Sequence, residues 1–144
     1  VLGHELGHYK KHHIVKRLCA MIPLIFAALF IVSILITRID LYTSFGFSAS
    51  PELLPHMKFI GLFLLGQIFS PLGIFWSLIS NYFSRRDEYQ ADAYAKYLCG
   101  TGEYLSTALI KLNKENMSEI TPPAIYCVFN YSHPTLLERM RAIK

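Results

Sequence analysis

The chain has 144 residues, of which 53% are hydrophobic and only 17% are charged, and its mean hydropathy is +0.33. This excludes a disordered tail, because disordered chains lack the apolar surface that offsets the entropy of ordering. The net charge of +4 is modest and its basic residues are scattered, which excludes a nucleic-acid-binding surface. The three cysteines are widely spaced and form no C-x-x-C pair, so we expect free thiols.

The first motif along the chain is H-E-x-x-H, written His4-Glu5-Leu6-Gly7-His8. On a helix the two histidines share one face, so both imidazoles can meet one Zn²⁺. Glu5 would lie beside the ion, where its carboxylate can take a proton from water. The alternative is a helix with two satisfied histidines and a solvent-facing glutamate. Because the motif follows Val1 so closely, without a signal peptide or initiator Met, we expect the C-terminal part of a longer protein.

The histidines that follow the motif are poor candidates for a third zinc ligand. Three histidines on one straight helix cannot all converge on a tetrahedral ion, so His12 would point the wrong way. The three-histidine pattern H-E-x-x-H-x-x-G-x-x-H also fails, because Lys11 stands where that pattern has Gly. We therefore expect His12 and His13 on a basic surface close to a membrane.

Two uncharged stretches predict transmembrane helices: Leu18 to Thr37 and Phe59 to Ile79. A helix of 20 residues is about 30 Å long, which matches the hydrocarbon core of a bilayer. Pro71 is expected to kink the second helix. The alternative is a pair of buried core helices, which a chain of this length could hardly enclose.

The charges that flank these stretches predict the orientation of the chain. Basic residues precede the first stretch and follow the second, so the positive-inside rule places both flanks in the cytoplasm. We therefore expect an all-α, integral-membrane helical bundle with five segments. These are a zinc-site helix over 1–17, a transmembrane helix over 18–37, a non-cytosolic loop over 38–58, a transmembrane helix over 59–79 and a cytosolic helical segment over 80–144.

The acidic pair Glu88 and Asp92 is the better source of a third ligand. Four residues apart, the two carboxylates face one side of a helix. One can bind zinc while the other accepts the remaining N–H of a ligating histidine. The alternative is a solvated acidic face, with Arg85 and Arg86 as candidate ion-pair partners. Asp87 has a weaker claim, since it is rotated by about 100° from Glu88.

The third cluster is Tyr131-Ser132-His133-Pro134, which precedes a last predicted helix running through Met140. Pro134 favours an extended backbone at His133 and places the imidazole at the start of the helix. A donor there could stabilise the oxyanion formed when water attacks a peptide carbonyl. The alternatives are a surface histidine and, for Arg139, a solvated side chain.

Together the motifs H-E-L-G-H, S-R-R-x-E-Y-Q-A-D-A-Y-A and Y-S-H-P-T-L-L-E-R resemble the integral-membrane zinc metalloproteases that comprise CaaX prenyl protease type I and the HtpX-like proteases. The two predicted spans between the first and second motifs match that family, and the second motif is closer to the prenyl protease branch. The resemblance implies one Zn²⁺ and assigns a role to each candidate: the ligands His4, His8 and Glu88, the general base Glu5, Asp92 beside a ligand, His133 and Arg139 near the substrate carbonyl, and Asn81 near the site.

The resemblance also implies partners and a location. The substrate is a peptide or protein, with or without a prenyl group, and the second partner is the lipid bilayer. Family members have further spans and a substrate-binding strand before the H-E-x-x-H helix. We expect a multi-pass protein with its zinc site on the cytoplasmic side, in the bacterial inner membrane or the endoplasmic reticulum. The alternatives are an HtpX-like quality-control protease and a catalytically silent membrane scaffold.

Overall fold

A computed structural model describes residues 1–117, 119 and 121–143, and every regular element in these ranges is a helix. The predicted all-α class is thereby confirmed. The chain divides into two units, one made of Val1–Lys16 with Phe75–Lys144 and the other of Arg17–Ile74. In chain order the elements are α1 (Leu2–Lys10), α2 (His13–Leu35), α3 (Ile39–Thr43), a 3₁₀ turn (Leu54–His56), α4 (Lys58–Phe69), α5 (Leu72–Cys99), α6 (Glu103–Glu115), α7 (Ala124–Asn130) and α8 (Leu136–Ile143).

The prediction of one helix over 1–17 is wrong, because α1 ends at Lys10 and a new helix, α2, begins at His13. His12 has a φ of +54°, in the left-handed region where a residue just beyond a helix end often lies. Its backbone N–H donates to the Tyr9 carbonyl at 3.0 Å, which closes α1. Histidine is one of the residue types that tolerate this region better than most. His13 therefore begins α2 instead of continuing the face of His4 and His8.

The unit of residues 17–74 contains most of α2, which is apolar enough to cross a membrane. In the described ranges α2 is the one helix that is by itself long and apolar enough to cross a bilayer. Its most apolar window has a mean hydropathy of 2.8. In the same unit, Tyr42 of α3 is fully buried and its hydroxyl donates to the Ile36 carbonyl at 2.9 Å. Gly61 on α4 lies so close that a Cβ there would collide with that hydroxyl. Small size at Gly61 thus lets α3 and α4 pack together.

The second predicted span is a broken helix instead of a kinked one. Helix α4 ends at Phe69 and α5 begins at Leu72, with Ser70 and Pro71 between them. Proline lacks the N–H that would continue the ladder, and its ring clashes with the carbonyl one turn earlier. Neither α4 nor α5 qualifies by itself as a membrane span, but the two helices taken together do. The described residues therefore contain at most two membrane crossings.

The other unit has its core where α5, α6 and α8 meet. Ala95, Leu105, Leu109 and Ile143 are buried there, and Leu136 packs against them. Helix α5 is 28 residues long and continues through Asn81 to Cys99, within the segment over 80–144 that was predicted to be helical. Its buried positions recur every three or four residues, which marks one face turned towards its neighbours: Ser84, Glu88, Ala91, Asp92 and Ala95.

Helix α1 packs on this face of α5 through glycine. A Cβ at Gly7 would lie 2.8 Å from the Cα of Ala91, which is closer than two carbons can approach. One turn earlier, a Cβ at Gly3 would lie 3.5 Å from the Cα of Ala95, an ordinary contact. Small residues four apart on both helices therefore bring the two backbones together. Because Gly7 lies between His4 and His8, its contact with Ala91 brings both histidines close to α5.

Candidate metal centre

The side chains of the three residues predicted to bind zinc converge, with one potential ligand atom of each within 4.8 Å of the others. His4 Nε2 and His8 Nε2 are 3.2 Å apart. Glu88 contributes Oε2 at 3.5 Å from His4 Nε2 and Oε1 at 3.4 Å from His8 Nε2. A tetrahedral ion with ligand distances near 2.0–2.1 Å separates its ligands by about 3.3–3.4 Å. The spacing of the three groups, and two imidazoles with one carboxylate as donors, therefore fit a single zinc-like ion.

No other group of three histidines, cysteines or acidic residues in the described ranges has this arrangement. Glu88 is buried at 6% exposure, while both histidines are partly exposed. A buried carboxylate needs compensating positive charge or donors, and four such groups lie around this one. These are His4, His8, His133 and Arg139.

Asp92 lies behind His4, on the side away from Glu88. His4 Nδ1 donates to Asp92 Oδ1 at 2.8 Å, which leaves the lone pair of Nε2 facing Glu88 and His8. Asp92 is 1% exposed. Burial alone would raise the pKa of this carboxyl, but hydrogen bonds from His4 and Arg139 outweigh it and hold the pKa below its usual range. Asp92 is therefore an ionised acceptor that fixes the orientation of the His4 ring.

Arg139 reaches the same carboxylates from α8. Its Nε donates to Asp92 Oδ2 at 2.7 Å, its Nη2 to Asp92 Oδ1 at 2.6 Å, and its Nη1 lies 3.3 Å from Glu88 Oε2. Burial works against the charge, but the hydrogen bonds to Asp92 and the nearby Glu88 raise the pKa of Arg139 above its ordinary value. The guanidinium is thus held on two carboxylates, whereas the sequence left open a solvated side chain.

His13 is not on a basic surface, and that prediction is wrong. It is 3% exposed, and its Nδ1 lies 3.1 Å from His8 Nδ1. The break at His12 is the reason, since it turns His13 back towards α1. Burial lowers the pKa of His8, Glu88 opposes this, and the neighbouring His4 and His13 lower the pKa further. A lowered pKa keeps the His8 imidazole neutral near pH 7, as a metal ligand must be. His12 itself is exposed, as expected.

His133 stands at the edge of the cluster. Its Nε2 lies 3.5 Å from Glu88 Oε1, and its Nδ1 is 2.9 Å from the hydroxyl of Ser132. The side chain is 65% exposed. A donor at this position lies next to the candidate metal ligands and is also exposed to solvent.

A cavity of about 450 Å³ opens over the three converging groups. Glu5 is exposed and lines it together with His133 and Arg139. Helix α6 contributes the apolar part of the lining through Leu105, Ala108, Leu109 and Leu112. The cavity therefore combines acid, base and cationic groups with a surface that can hold an apolar side chain.

Two predicted contacts are different in the structure. Asn81 Nδ2 donates to the Phe129 carbonyl at 2.9 Å, so it ties α5 to α7 and does not line the cavity. Arg85, a candidate partner of Glu88 and Asp92, instead donates through Nη2 to Glu138 Oε1 at 2.7 Å. Arg139 from α8 takes the place that was open to Arg85.

The sequence also held signals that motif reasoning missed. Thr135-x-x-Glu138 is a capping box: the Thr135 N–H donates to Glu138 Oε2 at 2.8 Å, and the Glu138 N–H donates to Thr135 Oγ1 at 3.3 Å. This box starts α8 and so sets the position of Arg139. The glycine of H-E-L-G-H was a second signal, because a small residue between two ligands suggests close helix packing.

Comparison with known proteins decides the family. The model of peptidase family M48 matches residues 1–144. The chain belongs to this family. The predicted metalloprotease family is thereby confirmed, and membership implies a metal cofactor.

Individual M48 relatives agree with this. The chain is 43% identical to the CAAX prenyl protease 1 homolog of Homo sapiens, and the match covers 100% of this chain and 29% of that protein. It is 36% identical to CAAX prenyl protease 1 of Saccharomyces cerevisiae, covering 99% of this chain and 33% of that protein. The crystal structure of S. mikatae Ste24p superposes with a TM-score of 0.84 at 33% identity, covering 100% of this chain and 35% of that one. The chain thus spans about a third of the length of these relatives.

Proposed function

We propose that this M48 protein is a zinc-dependent membrane endopeptidase whose single Zn²⁺ is bound by His4, His8 and Glu88. The observation that carries the proposal is the convergence of two imidazole nitrogens and the carboxylate of Glu88, with nitrogen–nitrogen and nitrogen–oxygen distances of 3.2–3.5 Å that suit the ligands of one tetrahedral ion. The family membership supports it. A zinc ion bound there supplies Lewis-acid polarisation of a peptide carbonyl and lowers the pKa of a nearby water.

Glu5 is the general base in this proposal. Its carboxylate is exposed and lines the cavity next to the histidines, but it is not one of the three converging donors. It can therefore accept a proton from the attacking water and later deliver that proton to the leaving amine. A silent scaffold would have no use for a carboxylate at this position, so we favour an active enzyme.

His133 acts on the substrate carbonyl in this proposal, and Arg139 supports the site close to it. His133 is exposed at the cavity edge, where an Nε2–H can donate to the oxygen that gains negative charge. Arg139 also lines the cavity, but its Nε and Nη2 donate to Asp92 and its Nη1 lies 3.3 Å from Glu88 Oε2. Its part is chiefly to supply fixed positive charge and to hold Asp92 and Glu88 in place.

The substrate we propose is the C-terminal region of a prenylated protein. The matching relatives are named CAAX prenyl proteases, which favours this class over an HtpX-like quality-control role. The leucines and alanine of α6 line the same cavity as the proposed metal ligands and suit apolar side chains on either side of the scissile bond. The span α2 anchors the protein in the bilayer, with the metal site on the cytoplasmic side by the positive-inside rule.

The test uses the protein as its gene encodes it, purified in detergent, with a farnesylated peptide as substrate. Glu5→Gln is expected to keep bound zinc and to lose at least about 100-fold in cleavage rate, because only the proton acceptor is removed. Glu88→Ala is expected to lose zinc and cleavage together, because it removes a ligand. Metal content is measured on each purified variant beside the cleavage rate.

Full turnover by Glu5→Gln would refute the general-base role. Wild-type protein that contains no zinc, or cleavage that survives a chelator, would refute the metal centre. If an unprenylated membrane protein is cleaved in preference to the farnesylated peptide, the protein is an HtpX-like quality-control protease and not a prenyl protease.

A further inference from the structure

We propose that His13 is a positioning residue, which fixes the ring orientation and tautomer of the metal ligand His8. This inference rests on the proposed metal centre but assigns a residue that the ligand motif does not contain. It starts from an asymmetry between the two histidine ligands. His4 is held by the carboxylate of Asp92, while His8 Nδ1 is paired with another imidazole, His13 Nδ1, at 3.1 Å.

The pairing defines which nitrogen carries each proton. His8 Nε2 faces His4 and Glu88, so its lone pair must be free for the metal. The proton of His8 is then on Nδ1, and the neighbouring Nδ1 of His13 must accept it. The remaining proton of His13 is consequently on Nε2. His13 can accept in this way only through an Nδ1 that carries no proton, since a proton there would oppose that of His8.

Helix α5 holds the far side of His13. His13 Nε2 lies 3.4 Å from Gln90 Oε1, which can accept a proton carried on Nε2, and the Asp87 carboxylate is just beyond hydrogen-bond distance, with Oδ1 at 3.6 Å. Asp87 and Gln90 flank Glu88 in the sequence. The helix that provides the carboxylate ligand therefore also orients, through His13, the second imidazole ligand.

The packing leaves His13 little freedom. It is 3% exposed, and its ring meets the His8 ring edge to face, with centroids 5.0 Å apart and planes at 79°. The left-handed turn at His12 places it there, where a continuous helix would have carried it past His8. Groups behind a histidine ligand fix its ring and tautomer, and their loss typically weakens metal binding about 10–100-fold.

The experiment compares His13→Leu with His13→Asn in the gene-encoded protein. Leucine removes the acceptor at similar size, whereas asparagine keeps an oxygen at the δ position that can accept from His8 Nδ1. We expect His13→Leu to bind zinc about 10–100-fold more weakly in competition with a chromogenic chelator, and His13→Asn to recover most of that loss. His56→Leu, the same change at an exposed histidine in the other unit, is the matched control.

The melting temperature of the metal-free proteins separates positioning from folding. A purely structural role predicts that metal-free His13→Leu melts lower than wild type while its zinc affinity is unchanged, and this result overturns the inference. Equal affinities of wild type and His13→Leu also overturn it. If the wild type binds no zinc at all, the proposed metal centre fails instead, so the two failures are distinguishable.

A measurement on the wild type covers the case in which His13→Leu does not fold. Nitrogen-15 chemical shifts of histidine-labelled, zinc-loaded protein report which ring nitrogens carry protons. We expect one zinc-bound histidine with a protonated Nδ1 that correlates with a bare Nδ1 of His13. A proton on His13 Nδ1 would refute the proposal.

Discussion

The packing of α1 on α5 leaves no room for a methyl group at Gly7, which is what an alanine there would add. The added Cβ would lie 2.8 Å from Ala91 Cα and 2.9 Å from the Ala91 carbonyl oxygen, both of them backbone atoms. Because His4 and His8 lie on either side of Gly7 and Glu88 lies close to Ala91, any shift of the helices changes the spacing of the ligands.

Gly7→Ala is therefore expected to lower metal content and cleavage, and to destabilise the protein by about 1–3 kcal/mol through overpacking. Gly3→Ala is the matched control, because its Cβ would meet Ala95 at 3.5 Å and alanine favours a helix over glycine by about 0.5–1 kcal/mol. Thermal melting and zinc content of both variants test this. Equal loss in the two variants would show that the close approach at Gly7 does not matter.

Element boundaries explain the two largest departures from the sequence-based predictions. A turn at His12 ends α1 early, and Pro71 divides the second apolar stretch. The first places His13 behind a ligand. Hydrophobicity alone showed neither break, since it marks which residues avoid water but not where the backbone hydrogen bonds stop.

Helix α8 gives a prediction at the same scale. Burial tends to raise the pKa of Glu138, but its hydrogen bonds with Thr135 and its pairing with Arg85 hold the pKa below its usual value. A carboxyl with a lowered folded pKa stabilises the protein above its unfolded pKa, about 4.3, and this stabilisation is lost as the pH falls through the folded value. Glu138→Gln should therefore melt lower than wild type at pH 7, and the difference should shrink as the pH falls below about 4.

These melts are made in a chelator, so that metal loss does not contribute. Thr135→Ala, which removes the hydroxyl of the capping box, should cost about 1 kcal/mol at pH 7, and part of this cost should also disappear in acid, because that hydroxyl is one of the donors that lower the pKa of Glu138. A difference between wild type and Glu138→Gln that stays constant from pH 7 to acid pH would contradict the role of the charge.

For the whole molecule, the proposed metal centre would link distant parts of the chain. His4 and His8 precede both apolar stretches in the sequence, and Glu88 follows them. A ligand that binds only the folded protein stabilises it, by about 2.7 kcal/mol at one hundred times its dissociation constant. Bound zinc should therefore stabilise the packing of α1 on α5, in addition to its role in catalysis.

Removing zinc with a chelator is accordingly expected to lower the melting temperature of the wild type, and adding zinc back should restore it. Glu88→Gln should lose this response, because one ligand is gone, whereas Glu5→Gln should keep it. A wild type whose melting temperature ignores the chelator would mean that metal and fold are uncoupled.

The sequence by itself determined the helical class, the apolar stretches and the residues that we propose as the metal centre. Each depends on local spacing: His4 and His8, like Glu88 and Asp92, lie four residues apart, one helical turn. Only the tertiary structure decided that Arg139 pairs with Asp92 and that His13 lies behind His8, at sequence separations of 47 and 5. The first contact depends on how α8 meets α5, and the second on a backbone turn, and neither leaves a periodic trace in the sequence.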